Sequence, residues 1–109
     1  MSRGFKDTNE YDPSEMYAPV TGCEEVRSVL AIANAEDWEV QQMDVDSAFL
    51  NSMLTRKVLM EIPEGVACSE QFKKDHICLL ERGLYGLKTV GKEWYRTITE
   101  QMTKLGFHL

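Results

Sequence analysis

No apolar stretch in the chain approaches the roughly 20 residues needed to cross a bilayer. The opening MSRGFKDTNEYDP also lacks the apolar core of a secretory signal. A cytoplasmic or nuclear setting, with no membrane partner, is the expectation. Cysteine is scarce: Cys23, Cys68 and Cys78 are odd in number, far apart, and form no C-x-x-C pair. That argues against a disulfide framework or a zinc site and for three reduced thiols used as small apolar side chains. The two histidines, His76 and His108, stand apart from each other and from the cysteines. There is no Gly-rich phosphate loop, no Ser-His-Asp set and no internal repeat. What remains is a chain of 109 residues, 43% hydrophobic and 28% charged, a balance that fits one globular domain and not a disordered tail.

Charge is unevenly spread. The net charge of −6 disfavours a free nucleic-acid binder. Residues 1–50 hold three basic and eleven acidic side chains, whereas residues 51–109 hold nine basic and seven acidic ones. Between Arg82 and Arg96 lie four basic residues, Arg82, Lys88, Lys92 and Arg96, against the single acid Glu93. By charge alone this patch reads as a solvated helix face.

Residues 1–20 are polar and read as irregular, with Pro13 and Pro19 opposing regular structure. Thr21 and Glu24 have capping-box spacing, and Val26, Val29, Leu30 and Ala33 share one helical face, so a helix is expected over about 22–36. Trp38–Met43 alternates like a strand that runs into Asp44-Val45-Asp46. Residues 47–51 read as a turn or one helical coil. Lys57–Ile62 reads as a second strand stopped by Pro63, residues 66–75 as a polar loop, and His76–Leu80 as a third strand. Gly83 and Gly86 bracket a place where backbone freedom is needed. Val90, Trp94, Ile98, Met102 and Leu105 form the stripe of a closing helix over about 90–105, with Gly106 as its cap. The predicted class is α+β, with a mixed or antiparallel sheet and two main helices.

Only Asp44 and Asp46 offer a chemical constellation. Two carboxylates at a strand end suit a hard cation such as Mg²⁺, which takes oxygen ligands and keeps waters. Two-metal phosphoryl transfer, however, needs carboxylates converging from separate segments. Taken by itself, D-x-D reads as a solvated strand end, and Phe49 reads as a core aromatic.

The surroundings of this pair carry a resemblance. Gln42-Met43-Asp44-Val45-Asp46-Ser47-Ala48-Phe49-Leu50-Asn51 closely resembles the first catalytic motif of copia-type retrotransposon reverse transcriptases. Tyr17-Ala18-Pro19-Val20 is similar to that family's F-A-P-V segment, and Trp38-Glu39-Val40 to the strand entering the motif. Met60–Gly65 is similar to its M-x-x-P-E-G turn. Leu84-Tyr85-Gly86-Leu87-Lys88 followed by Trp94-Tyr95 is similar to its S-L-Y-G-L-K-Q…W-Y stretch, and Leu105-Gly106-Phe107 to its L-G-F. The order and spacing hold over nearly the whole chain.

The resemblance implies a partial reverse transcriptase domain over 1–109, covering the end of the fingers and the first part of the palm. It implies that Asp44 is the metal-binding aspartate for Mg²⁺ and that the Val45 backbone carbonyl also reaches a metal. It places Phe49 beneath the incoming sugar, where it rejects a ribose 2′-OH, and Lys88 near backbone phosphate. Asp46 matches no ligand and is expected to be an exposed turn residue. The parent enzyme's partners would be an RNA or DNA template-primer and a deoxynucleoside triphosphate.

Three departures stand out. The Y-x-D-D motif with the other two aspartates is absent, the family glutamine after L-K is Thr89 followed by Val90-Gly91, and the basic finger strand survives only as Ser2-Arg3-Gly4-Phe5. The chain alone is therefore expected to be inactive as an RNA-directed DNA polymerase. Two alternatives remain. One is an interaction module that self-associates or recruits another chain through an exposed palm edge around Leu59, Ile77 and Leu79. The other is a weak nucleic-acid binder acting through Arg82, Lys88, Lys92 and Arg96.

Overall fold

The longest well-packed element is the closing helix, α4 (Val90–Lys104), and the core is built on its first turns. In this computed structural model, which describes residues 7–108, it is preceded by α1 (Pro13–Met16), α2 (Cys23–Ala35), a 3₁₀ turn (Ala48–Asn51), β1 (Met53–Met60), α3 (Glu70–Asp75) and β2 (Cys78–Arg82). The finger-strand match at Ser2–Phe5 lies outside the described residues. The class is α+β, and the sheet has two antiparallel strands.

The pairing explains where the core sits. Val58 faces Leu80, Leu59 faces Leu79 and Met60 faces Cys78, with an irregularity between Met53 and Val58. Side chains alternate across a strand, so Val58 and Leu80 point to one face while Leu59 and Leu79 point to the other. Val58, Leu87 and Val90 are buried together on the first face, with Phe49, Leu54, Leu80 and Leu84 packed against them. The second face is uncovered: Leu59 is 59% exposed, and Leu79 and Ile77 are also exposed, as the sequence suggested. At about 1.5–3 kcal/mol per fully buried large apolar side chain, so small a cluster leaves little stability in reserve.

The end of α4 follows from its sequence. Gly106 takes φ +94°, its N–H donates to the Thr103 carbonyl, and the Phe107 N–H reaches back to the Met102 carbonyl. This is a Schellman cap, for which glycine is the favoured residue. Leu105 lies beyond the last turn and is exposed, so it does not complete the expected stripe.

Several expectations are corrected. Residues 38–46 form no strand. A strand needs a neighbour to satisfy its N–H and C=O groups, and β1 and β2 pair only with each other among the described residues. Trp38, Val40 and Met43 are accordingly exposed. Helix α2 starts at Cys23 with Gly22 as its cap and no side-chain hydrogen bond there, so the Thr21–Glu24 capping box does not form. Only Ala33 of α2 is buried, and the helix packs on no other element among the described residues. The resulting shape is long, 65 × 30 × 25 Å, with a radius of gyration of 18.8 Å against about 13 Å for a compact chain of this size.

Residues 66–75, expected as a loop, contain α3. The Ser69 hydroxyl accepts from the Phe72 N–H, Glu70 sits in the first turn, and Lys73 and Lys74 sit in the last. These are charges placed to suit the helix dipole. His76 closes α3 by donating its N–H to the Phe72 carbonyl, which delays β2 to Cys78. The described part of the segment expected to be irregular, residues 7–20, contains a short helix. Pro13 opens α1, where its missing N–H costs nothing, and Asp12 and Glu15 make a reciprocal capping box.

Candidate functional site

The segment that holds Asp44 ends in a tight turn whose conformation is over-determined. Ser47 sits in the left-handed region at φ +52°, a costly place for a residue with a side chain. Its carbonyl accepts from the Leu50 N–H at 2.9 Å. The Asn51 amide donates to the carbonyls of both Asp46 and Ser47, at 3.2 and 3.3 Å. These bonds hold the chain in the turn that leads from Asp44-Val45 into the 3₁₀ segment.

Two further residues fasten that turn to the rest of the fold. Ser52 is fully buried. Its hydroxyl donates to the Phe49 carbonyl at 2.6 Å, and its own carbonyl accepts from the Gly83 N–H at 2.9 Å. Gly83 is itself buried, and a Cβ there would meet the Ser52 hydroxyl, the Phe49 carbonyl at 2.5 Å and a Val90 methyl at 2.7 Å. Its lack of a side chain thus serves a close approach. The backbone freedom expected of this pair belongs to Gly86, at φ +95°. Phe49 is half-buried against the core and lies 5.1 Å, centroid to centroid, from the tilted ring of Tyr85. The first motif and the L-Y-G-L-K stretch, over 30 residues apart in the chain, are therefore in direct contact.

The site residues expected from sequence fall into two groups. Phe49 is built into this junction. Asp44, Val45 and Asp46 are exposed just ahead of it, and Asp46 occupies the turn as expected. Among the described residues no group of three or more His, Cys, Asp or Glu side chains could hold a metal ion. Asp44 has oxygen donors of the kind Mg²⁺ takes, but it belongs to no such group, so the described residues do not complete a metal site.

Lys88 ends the L-Y-G-L-K stretch, and its ammonium donates to the Asp7 carbonyl at 2.9 Å and stands 5.8 Å over the Tyr11 ring. Partial burial opposes the charged form of Asp7. Hydrogen bonds from the Tyr11 hydroxyl and the Asn9 amides, with the Lys88 charge, outweigh it and hold the carboxyl below its ordinary value. Partial burial and that same bond push the Tyr11 phenol up.

Sequence reasoning missed Asn51, Ser52, Tyr85 and Glu93 as holders of the site. Glu93 is buried, accepts from both the N–H and the hydroxyl of Thr55, and pairs with Arg96 at 3.3 Å. It ties α4 to β1. The only signal for it was an acid alone in a basic stretch.

The profile of the family described as reverse transcriptase (RNA-dependent DNA polymerase) matches residues 1–109. The chain is 38% identical over 93 residues to the retrovirus-related Pol polyprotein from transposon TNT 1-94 of Nicotiana tabacum, covering 85% of this chain. It is 31% identical over 107 residues to the corresponding polyproteins from transposons RE2 and RE1 of Arabidopsis thaliana, covering 98% of this chain in each case. The chain spans about 7% of the length of each of these relatives. No solved structure matches it. No helix among the described residues is long and apolar enough to cross a membrane. The chain belongs to the reverse transcriptase family, on the branch of the copia-type retrotransposon Pol polyproteins.

Proposed function

We propose that these residues form the end of the fingers and the first part of the palm of a copia-type RNA-directed DNA polymerase, as one partial domain over 1–109. The observation that carries this reading is the junction itself. The turn after Asp44 and the Leu84–Lys88 stretch meet through Phe49–Tyr85 and Ser52–Gly83, which brings two segments matched to the polymerase onto one side of the core. In this reading Asp44, with the Val45 carbonyl, is one arm of a Mg²⁺ site. The ring of Phe49 lies under the sugar of the incoming deoxynucleotide, and Lys88 meets phosphate of the template-primer.

The parent reaction is nucleotidyl transfer. A primer 3′-oxygen attacks the α-phosphorus of a deoxynucleoside triphosphate, its proton leaves, and pyrophosphate departs. The metal supplies charge neutralisation when the whole site binds it. What this chain's own residues contribute is positioning: the Asn51 bonds hold the turn, and Ser52 and Gly83 fix it against α4. The carboxylates that the family places in Y-x-D-D are not in this sequence. The 109 residues alone are therefore expected to give no primer extension with Mg²⁺ and deoxynucleotides on a primed RNA template. Extended product from the purified chain, lost in Asp44→Asn, overturns the expected inactivity.

A further inference from the structure

Residues 7–16 contain Asp7, Glu10, Asp12 and Glu15 and no basic residue. They lie across the corner of the fold that carries Arg56 and Lys88. Arg56 donates to the Glu10 carbonyl at 3.1 Å, pairs with the Glu15 carboxylate at 3.5 Å and stands 5.5 Å over the Tyr11 ring. Lys88 donates to the Asp7 carbonyl and stands 5.8 Å from the centroid of the same Tyr11 ring. An open cleft of about 270 Å³ borders this segment, lined by Glu15, Arg56, Lys92, Glu93 and Arg96 among others. Within it Arg96 is already paired with Glu93 and Glu100, whereas Lys92 faces only the Tyr95 ring among the ionic and aromatic contacts of the described residues.

The segment is held weakly. None of the α1 residues is buried. Its ties to Arg56 and Lys88 are one exposed ion pair, two carbonyl contacts and two cation–π contacts, which contribute little individually, and the charged ones fade as salt rises. What it offers the two cations, carbonyl oxygens at hydrogen-bond distance and one carboxylate, is close to what a phosphodiester backbone offers.

We propose that residues 7–16 form a displaceable acidic strap that occupies Arg56 and Lys88 and must leave before a nucleic-acid backbone can lie across Arg56, Lys88 and Lys92. This rests on the reading of Lys88 as a phosphate-contacting residue. The strap sets a threshold: a ligand with several phosphates in a row displaces it, and a single phosphate does not.

The test measures binding of a short fluorescein-labelled single-stranded oligodeoxynucleotide by anisotropy, at two salt concentrations. The strap is neutralised by Asp7→Asn with Glu10→Gln and Glu15→Gln, leaving the Asp12 cap intact and a glutamine that still serves the capping box. A control removes the same charge on or beside α2, by Glu24→Gln, Glu25→Gln and Glu36→Gln. The neutralised strap is expected to bind about 10-fold tighter than the natural chain, the α2 control less than about 3-fold tighter, and Lys88→Ala on the strap variant to cancel the gain and lower the salt slope by about one. In the natural chain, amide shifts of residues 7–16 move on titration. Equal gains from strap and control overturn the proposal, since net charge alone then explains binding. No gain from the strap variant, with Lys88-dependent binding intact, overturns the strap but leaves the phosphate reading standing. Absence of binding by every variant overturns both.

Discussion

Gly83→Ala is expected to destabilise the fold by about 2–3 kcal/mol, enough to remove much of the stability of so small a core. The added methyl would press on the Phe49 carbonyl at 2.5 Å and a Val90 methyl at 2.7 Å, and on the Ser52 hydroxyl. None of these can step aside cheaply. Ser52 is fully buried, so moving it breaks its bond to the Phe49 carbonyl and leaves a hydroxyl without water or partner. Val90 is one of three buried members of the core cluster. The same shift displaces Phe49 and loosens the turn behind Asp44, so the damage reaches the candidate site. Urea denaturation of the two proteins measures the loss. Gly65→Ala is the matched control, because a Cβ at Gly65 meets nothing within 4 Å. A Gly83→Ala protein within about 0.5 kcal/mol of the parent, like a neutral surface change, contradicts the packing described.

Glu93→Ala is expected to cost about 2 kcal/mol, from a different cause. The buried carboxylate receives both the N–H and the hydroxyl of Thr55 and also faces Arg96. Hydrogen bonds to a charged acceptor are worth about 1.5–3 kcal/mol each when removed, and Thr55 is exposed enough for water to recover part of that. Glu100→Ala, on the same helix and paired with the same arginine in solvent, is expected to cost under about 0.5 kcal/mol. Thr55→Ala combined with Glu93→Ala forms a double-mutant cycle, and a coupling above about 1 kcal/mol is expected. Equal losses for Glu93→Ala and Glu100→Ala would mean that Glu93 is no tie between α4 and β1.

Local pattern made part of this fold legible. The stripe and glycine cap placed α4, helix α2 lay where its periodicity put it, and the short coil after Asp46 appeared as a 3₁₀ turn. Both strands were found in kind but shifted, because pairing and the α3 cap set their ends, not their composition. The expected strand over 38–43 failed for a related reason: alternation marks a segment able to pair, and pairing needs a neighbour. Helix α3 hid in a polar stretch because its signal was one serine cap followed by correctly placed charges.

At the candidate site, spacing alone offered D-x-D, and the resemblance to a family singled out Asp44, Val45, Phe49 and Lys88. What fixes the turn was not legible. Ser52, Gly83 and Tyr85 act through contacts across more than 30 residues of chain, and a period of 2 or 3.6 carries no information about those. Lys88 was legible as a cation, but its engagement by Asp7 and Tyr11 was not, since the two lie some 80 residues apart.

The proposed reading has Asp44 and Val45 form one arm of a Mg²⁺ site on a turn that this chain folds by itself. Titrating the ¹⁵N-labelled protein with Mg²⁺, and then with Mn²⁺, tests it most directly. Weak, saturable amide shifts centred on Asp44 and Val45, fading through the turn to Asn51 and abolished by Asp44→Asn, are the expected result. Shifts centred on other carboxylates such as Asp12 or Glu15, or an unchanged spectrum of a folded protein, would contradict it.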